Sequence, residues 1–111
     1  MNRCRITVLQ RTMNRALALE YCANPDLPLC PLFGDGQKFL VETSDPPPGF
    51  CDDGWNAIRT YVFAFLSGGR ALYEGWMKDP NAMIACCNDA VRPVIFLIER
   101  VPDDAGEEAR A

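Results

Sequence analysis

Asp53-Gly54-Trp55-Asn56-Ala57-Ile58-Arg59-Thr60-Tyr61-Val62-Phe63-Ala64-Phe65-Leu66-Ser67 is the stretch that decides the fold. Trp55, Ile58, Val62, Phe65 and Leu66 recur at i, i+3, i+7, i+10 and i+11, which is one apolar stripe on a helix. Asp52 or Asp53 is placed to cap its start, and Gly68-Gly69 ends it. A helix with one such stripe buries it against another layer, so a sheet is expected beneath it. Tyr61 and Phe63 lie partly off the stripe and point to a second contact, such as a neighbouring subunit.

Working outward, four segments read as strands. Arg5 to Gln10 alternates, with Cys4, Ile6 and Val8 on one face. Gln37 to Glu42 follows the turn Gly34-Asp35-Gly36. Ala82 to Cys87 and Val94 to Val101 are joined by Asn88-Asp89-Ala90-Val91-Arg92-Pro93, a link that suits a hairpin. The last strand is apolar on both faces from Val94 to Ile98, which marks it as central.

A short helix capped by Asn14 is expected to run to about Tyr21, with Leu17 and Tyr21 on its inner side. Asn24 to Pro31 is irregular because its prolines remove donors, and Ser44 to Gly49 is a stiff polyproline-like spacer. Arg70 to Pro80 reads as a loop, with Trp76 and Met77 covering the core.

The expected class is therefore α+β: a small, mostly antiparallel four-stranded sheet with one main amphipathic helix on a face and one short helix. Residues 1–102 read as a single compact domain and 103–111 as a flexible acidic tail.

The 111 residues contain six cysteines and no histidine, with 49% apolar and 23% charged residues and a net charge of −4. The acidic balance argues against a nucleic-acid partner. Arg3, Arg5, Arg11 and Arg15 read as solvated arginines flanking an edge strand. No segment reads as a signal peptide or a membrane span, so the expected location is cytoplasmic, where thiols stay reduced. No nucleotide-cofactor motif is present. Without histidine, the usual neutral-pH base and the commonest nitrogen ligand are both missing. Chemistry must then run on sulfur or carboxylates.

Cys4 alternates with buried positions and reads as core. Cys22 closes the short helix, Cys30 lies in the Pro-rich loop, and Cys51 immediately precedes the main helix, whose partial positive charge favours a thiolate while Asp52 and Asp53 oppose it. Successive residues of a strand face opposite ways, so only one of Cys86 and Cys87 can join a common site. Cys22, Cys30, Cys51 and Cys86 or Cys87 would form a sulfur-only ligand set for zinc or an iron–sulfur cluster. Their separations of 7, 20 and 34 intervening residues provide no local chelate, so the fold must assemble any site.

The ordered pattern Tyr21-Cys22, Cys30-Pro31-Leu32-Phe33, Gly36-Gln37-Lys38-Phe39, Gly49-Phe50-Cys51, Trp55, Gly68-Gly69, Trp76-Met77, Ala85-Cys86-Cys87-Asn88-Asp89, Arg92-Pro93-Val94-Ile95-Phe96 and Glu99-Arg100 resembles a small bacterial and archaeal family of similar length, common in anaerobes. The resemblance spans Arg5 to Arg100 and implies no particular activity. It does imply that Cys22, Cys30, Cys51, Cys86 and Cys87 belong to the family pattern and Cys4 does not.

Three readings stand at this point. The first is a metal- or cluster-binding accessory or electron-transfer protein, serving a larger redox or metabolic enzyme. The second is a thiol-dependent enzyme or redox protein with Cys51 or Cys87 as nucleophile and Arg92 as an anion clamp. The third is an oligomeric interaction module with inert cysteines, presenting Tyr61, Phe63 and Trp76. Asp89 and Arg92 also suit ordinary turn chemistry.

Overall fold

Alternation along Arg3–Arg11 turns Cys4, Ile6 and Val8 to one side, and all three are fully buried. This strand, β1, is nine residues long in a computed structural model that describes residues 2–101. The chain continues through α1 (Arg15–Tyr21), β2 (Lys38–Val41), α2 (Asp52–Leu66), a single turn α3 (Leu72–Gly75), β3 (Ala82–Cys86) and β4 (Val94–Val101). The four strands form one antiparallel sheet in the order β2-β1-β4-β3, with α2 on one face. The expected α+β architecture is the one observed. The domain end at 102 and the acidic tail beyond it lie outside the described residues.

Strand β4 is central, and its inner residues Val94, Phe96 and Ile98 are fully buried. Strand β1 is central too, a correction to its reading as an edge. The pairing shifts between Val8 and Gln10, and Leu9, which falls at this bulge, is exposed. The flanking arginines are engaged. Arg5 faces Glu99 across the ladder at 3.2 Å, and Arg15 donates to the carbonyls of Pro25 and Leu27.

Trp55, Ile58, Val62 and Phe65 of α2 are buried against this sheet, as the stripe requires. The helix starts one residue earlier than an aspartate cap would place it. Cys51 is the N-cap and makes no side-chain cap bond, while Asp52 and Asp53 fall inside the first turn, where their charge still complements the helix dipole. Beneath that turn, five aromatic rings meet. Phe50 lies 4.9 Å from Phe39, 5.0 Å from Phe33, 5.4 Å from Phe96 and 6.0 Å from Trp55, centroid to centroid. Gly54 admits them: a Cβ there would stand 3.3 Å from the Phe50 ring, with Phe96 and Phe33 just beyond.

Three local expectations are overturned. In α1 it is Ala18 that faces inward, while Leu17 and Tyr21 are exposed, because this seven-residue helix touches the body through one small side chain. Asn14 is its N-cap residue, as expected, but makes no side-chain cap bond; its Nδ2 donates instead to the Ala90 carbonyl at 2.6 Å, tying the segment to the β3–β4 loop. The segment 70–80 is not a plain loop. Ala71, Tyr73 and Glu74 carry positive φ, so α3 is a tight, left-handed turn. That turn leaves Trp76 exposed rather than covering the core, while Met77 packs against it. Tyr61 and Tyr73 meet through their hydroxyls at 3.2 Å. Among the described residues no helix is long and apolar enough to cross a membrane.

The ring cluster sets a stability prediction. Phe50→Ala removes the common neighbour of four rings and should cost about 3–5 kcal/mol in chemical denaturation. Tyr21→Ala, on an exposed side chain, should stay within about 0.5 kcal/mol of the parent. Equal effects of the two would show that the aromatic cluster does not hold the fold.

Candidate functional site

Two irregular segments and one hairpin converge at the end of the sheet where β3 stops and β4 begins. The loop before β2 carries Cys30 and is anchored by Phe33, three residues on, which is buried in the ring cluster. Arg11 fixes the same loop from the sheet. Its guanidinium donates to the Cys30 carbonyl and to Asp35, both at 3.2 Å, and Asp35 also accepts the Arg11 amide. The connector before α2 carries Cys51, set in place by its neighbour Phe50.

Cys87 lies just past β3. It follows the Cys86–Ile95 pair, so it faces Val94 on the inner side, and its amide donates to the Val94 carbonyl. Its sulfur accepts the Val94 amide at 3.4 Å.

Between these segments lies a cleft of about 370 Å³, lined by Cys30, Cys51, Cys87, Asp53, Asp89 and Arg92 over a floor that includes Leu32, Phe33 and Val94. The structure thus brings three of the predicted sulfurs together with the predicted arginine. It leaves the other three cysteines elsewhere. Cys4 is buried beneath the sheet, and burial, reinforced by the charge of Glu99, pushes its thiol up to about 12, so it stays protonated. Cys22 is the half-buried C-cap of α1 and does not line the cleft. Cys86 points to the outer face and is exposed. The choice between Cys86 and Cys87 therefore falls on Cys87. Among the described residues, no group of three or more histidine, cysteine, aspartate or glutamate side chains is close enough to hold a metal ion.

The hairpin loop supplies the charge. Asp89 Oδ1 accepts the amides of Val91 and Arg92, both at 2.9 Å, and Oδ2 accepts Arg92 Nε at 3.1 Å. Burial pushes the Asp89 carboxyl up, but the two amides and the Arg92 guanidinium outweigh it, and the net result lies below its usual value of 3.8. Thr12 and Asn14 brace the loop from the other side, through the carbonyls of Pro93, Val91 and Ala90. Turn chemistry and cleft lining are here the same residues: Asp89 organises the turn, and in doing so fixes Arg92 at the cleft.

Asp53, one of the carboxylates the sequence offers for acid–base work in the absence of histidine, lines the cleft, whereas Phe33 is a site residue that sequence reasoning did not single out. Phe33 stood in the Cys30-Pro31-Leu32-Phe33 string as an unremarkable aromatic, and only the ring contacts reveal its anchoring role. A second cleft of about 370 Å³, lined by Thr43, Ser44, Phe63, Leu66 and Ser67, carries no charged or sulfur side chain.

The depressed Asp89 carboxyl gives a pH prediction. A carboxyl whose folded value is lowered adds stability above its unfolded value and loses it as pH falls through the folded value. Asp89→Asn should therefore cost about 0.5–1 kcal/mol at pH 7, discounted for partial exposure. The gap to the parent should close as the pH is taken below 3.8 in urea melts. A gap that stays constant with pH would place the effect outside this ionisation. No protein-family model, curated protein or solved structure matches the chain.

Proposed function

We propose that the protein works through thiol chemistry at the Cys30–Cys51–Cys87 cleft, as a thiol-dependent enzyme or redox protein. Cys51 is the attacking sulfur, Cys30 and Cys87 are the second thiols, and Arg92 holds an anionic group of the ligand. The observation that carries this reading is the convergence of three cysteines, from segments far apart in sequence, on one cleft that also contains a fixed guanidinium.

Cys51 is favoured over its neighbours on geometry. The sulfur of Cys87 already accepts a backbone amide, and Cys30 is held within a loop by its carbonyl. Cys51 stands at a helix start and makes no side-chain cap bond there. Arg92 spends only Nε on Asp89, which leaves the planar fork of its terminal nitrogens for a carboxylate or phosphate.

A second reading draws on the same sulfur-only set. A soft metal or an iron–sulfur cluster held by Cys30, Cys51 and Cys87 would make this an accessory or electron-transfer protein. It requires the three sulfurs to draw together, and a sulfur-only set of four requires a fourth sulfur from outside the cleft, because Cys22 and Cys86 lie elsewhere.

One preparation separates the two. The protein is purified without oxygen or chelator, in a Cys86→Ser background that removes the exposed thiol. Metal content, visible absorption and alkylation rates are then measured. Thiol chemistry predicts no stoichiometric metal and alkylation of Cys51 at least about tenfold faster than Cys30 or Cys87. Equal, slow labelling of all three would overturn it. Stoichiometric metal, lost on replacing Cys51 with serine, would establish the second reading in its place.

A further inference from the structure

The cleft carries two opposite charges as well as sulfur. Among the described residues the terminal nitrogens of Arg92 make no hydrogen bond, and the Asp53 carboxylate has no hydrogen-bond or ion-pair partner. The other carboxylate of the lining, Asp89, is committed to Arg92 and to two backbone amides. One open cation and one open anion therefore flank the thiols, over an apolar floor.

A simple anion would satisfy Arg92 but would meet Asp53 as a like charge. A cation would do the reverse. A ligand bearing both an acidic and a basic group complements the two together. Its size is bounded as well, because about 370 Å³ lies near the low end of small-molecule clefts, which run from roughly 300 to 1,000 Å³.

From this arrangement we infer that the cleft takes a small zwitterionic disulfide of the amino-acid class, with its carboxylate on Arg92 and its ammonium at Asp53. This rests on the thiol reading of the same cleft. In the first step the Cys51 thiolate attacks one ligand sulfur. A Cys51–ligand disulfide forms, the ligand's own S–S bond breaks, and the departing thiolate takes a proton from solvent. In the second step Cys30 or Cys87, having lost its proton, attacks Cys51 sulfur and releases the other half of the ligand as a thiol. Two protein thiols are thereby oxidised to one disulfide, and one ligand disulfide is reduced to two thiols.

The test uses four probes on the folded Cys86→Ser protein: cystine, the neutral 2-hydroxyethyl disulfide, the cationic cystamine and the anionic dithiodiglycolate. Mass spectrometry follows the mixed disulfide on Cys51. Cystine should react about tenfold faster than the neutral probe, the discrimination expected of charge-assisted hydrogen bonds. Arg92→Gln should slow cystine more than the neutral probe and so remove the advantage of cystine, and Arg92→Lys should restore part of it. Asp53→Asn should slow cystine and cystamine only. Thermal melts confirm that each variant is folded.

Equal rates for all four probes would overturn the zwitterion inference and leave thiol chemistry standing. So would a preference for dithiodiglycolate that Asp53→Asn does not alter, which would make the ligand a plain anion. Failure of every probe to form a mixed disulfide on the folded protein would overturn the thiol reading itself.

Discussion

The contact of Phe50 with Phe33, Phe39, Phe96 and Trp55 is the interaction on which the rest of the structure depends. Two of these rings come from segments with no regular structure, and the others from two strands and a helix. Irregular backbone cannot be held by a hydrogen-bond ladder, so a loop in this position needs another anchor. Large rings packed edge to face provide one, because each buries a wide area in a defined orientation. Phe33 anchors the loop that carries Cys30, and Phe50 the connector that carries Cys51. The cleft thus borders the aromatic cluster at Phe33, and the rings place Cys30 and Cys51 there, while the β3–β4 pairing places Cys87.

The backbone polar groups around the cleft are satisfied by a second device, side chains reaching from the sheet. Arg11 bonds to Asp35 and to the Cys30 carbonyl, while Thr12 and Asn14 bond to the carbonyls of the β3–β4 loop. All three follow one another as β1 ends and the chain turns towards α1. The end of a central strand therefore acts as a bracket for two loops, which explains why its polar residues are not free in solvent as their charge alone suggested.

What was legible in the sequence follows from periodicity. The stripe of α2, the alternation of β1 and the doubly apolar β4 are repeating patterns, and repeating patterns report which side of an element is buried. The division of labour between Cys86 and Cys87 was also legible, as a rule that one of them must face away. Which one did so depended on the sheet face that α2 covers, a long-range fact with no local signal. Leu17 and Tyr21 misled because an i,i+4 apolar pair signals an inner face only if the helix packs broadly, and α1 touches the body through Ala18 alone. Trp76 misled for a related reason: a left-handed turn at Tyr73 and Glu74 redirects the chain, and residue type gives little warning of left-handed backbone outside glycine. The convergence of Cys30, Cys51 and Cys87 was beyond local reading altogether, since ring contacts between distant segments bring the first two to the end of the sheet where β3–β4 pairing places the third.

The pairing of β3 with β4 has one further consequence. Adjacent cysteines at the end of an edge strand differ by a single step of register, and a slip of that size turns every side chain of the strand over. It would carry Cys86 into the cleft and Cys87 out of it, while expelling Met83 from the core, where it is 1% exposed. Met83, three residues before the pair and remote from any chemistry, is thus what determines which of two neighbouring sulfurs the cleft contains.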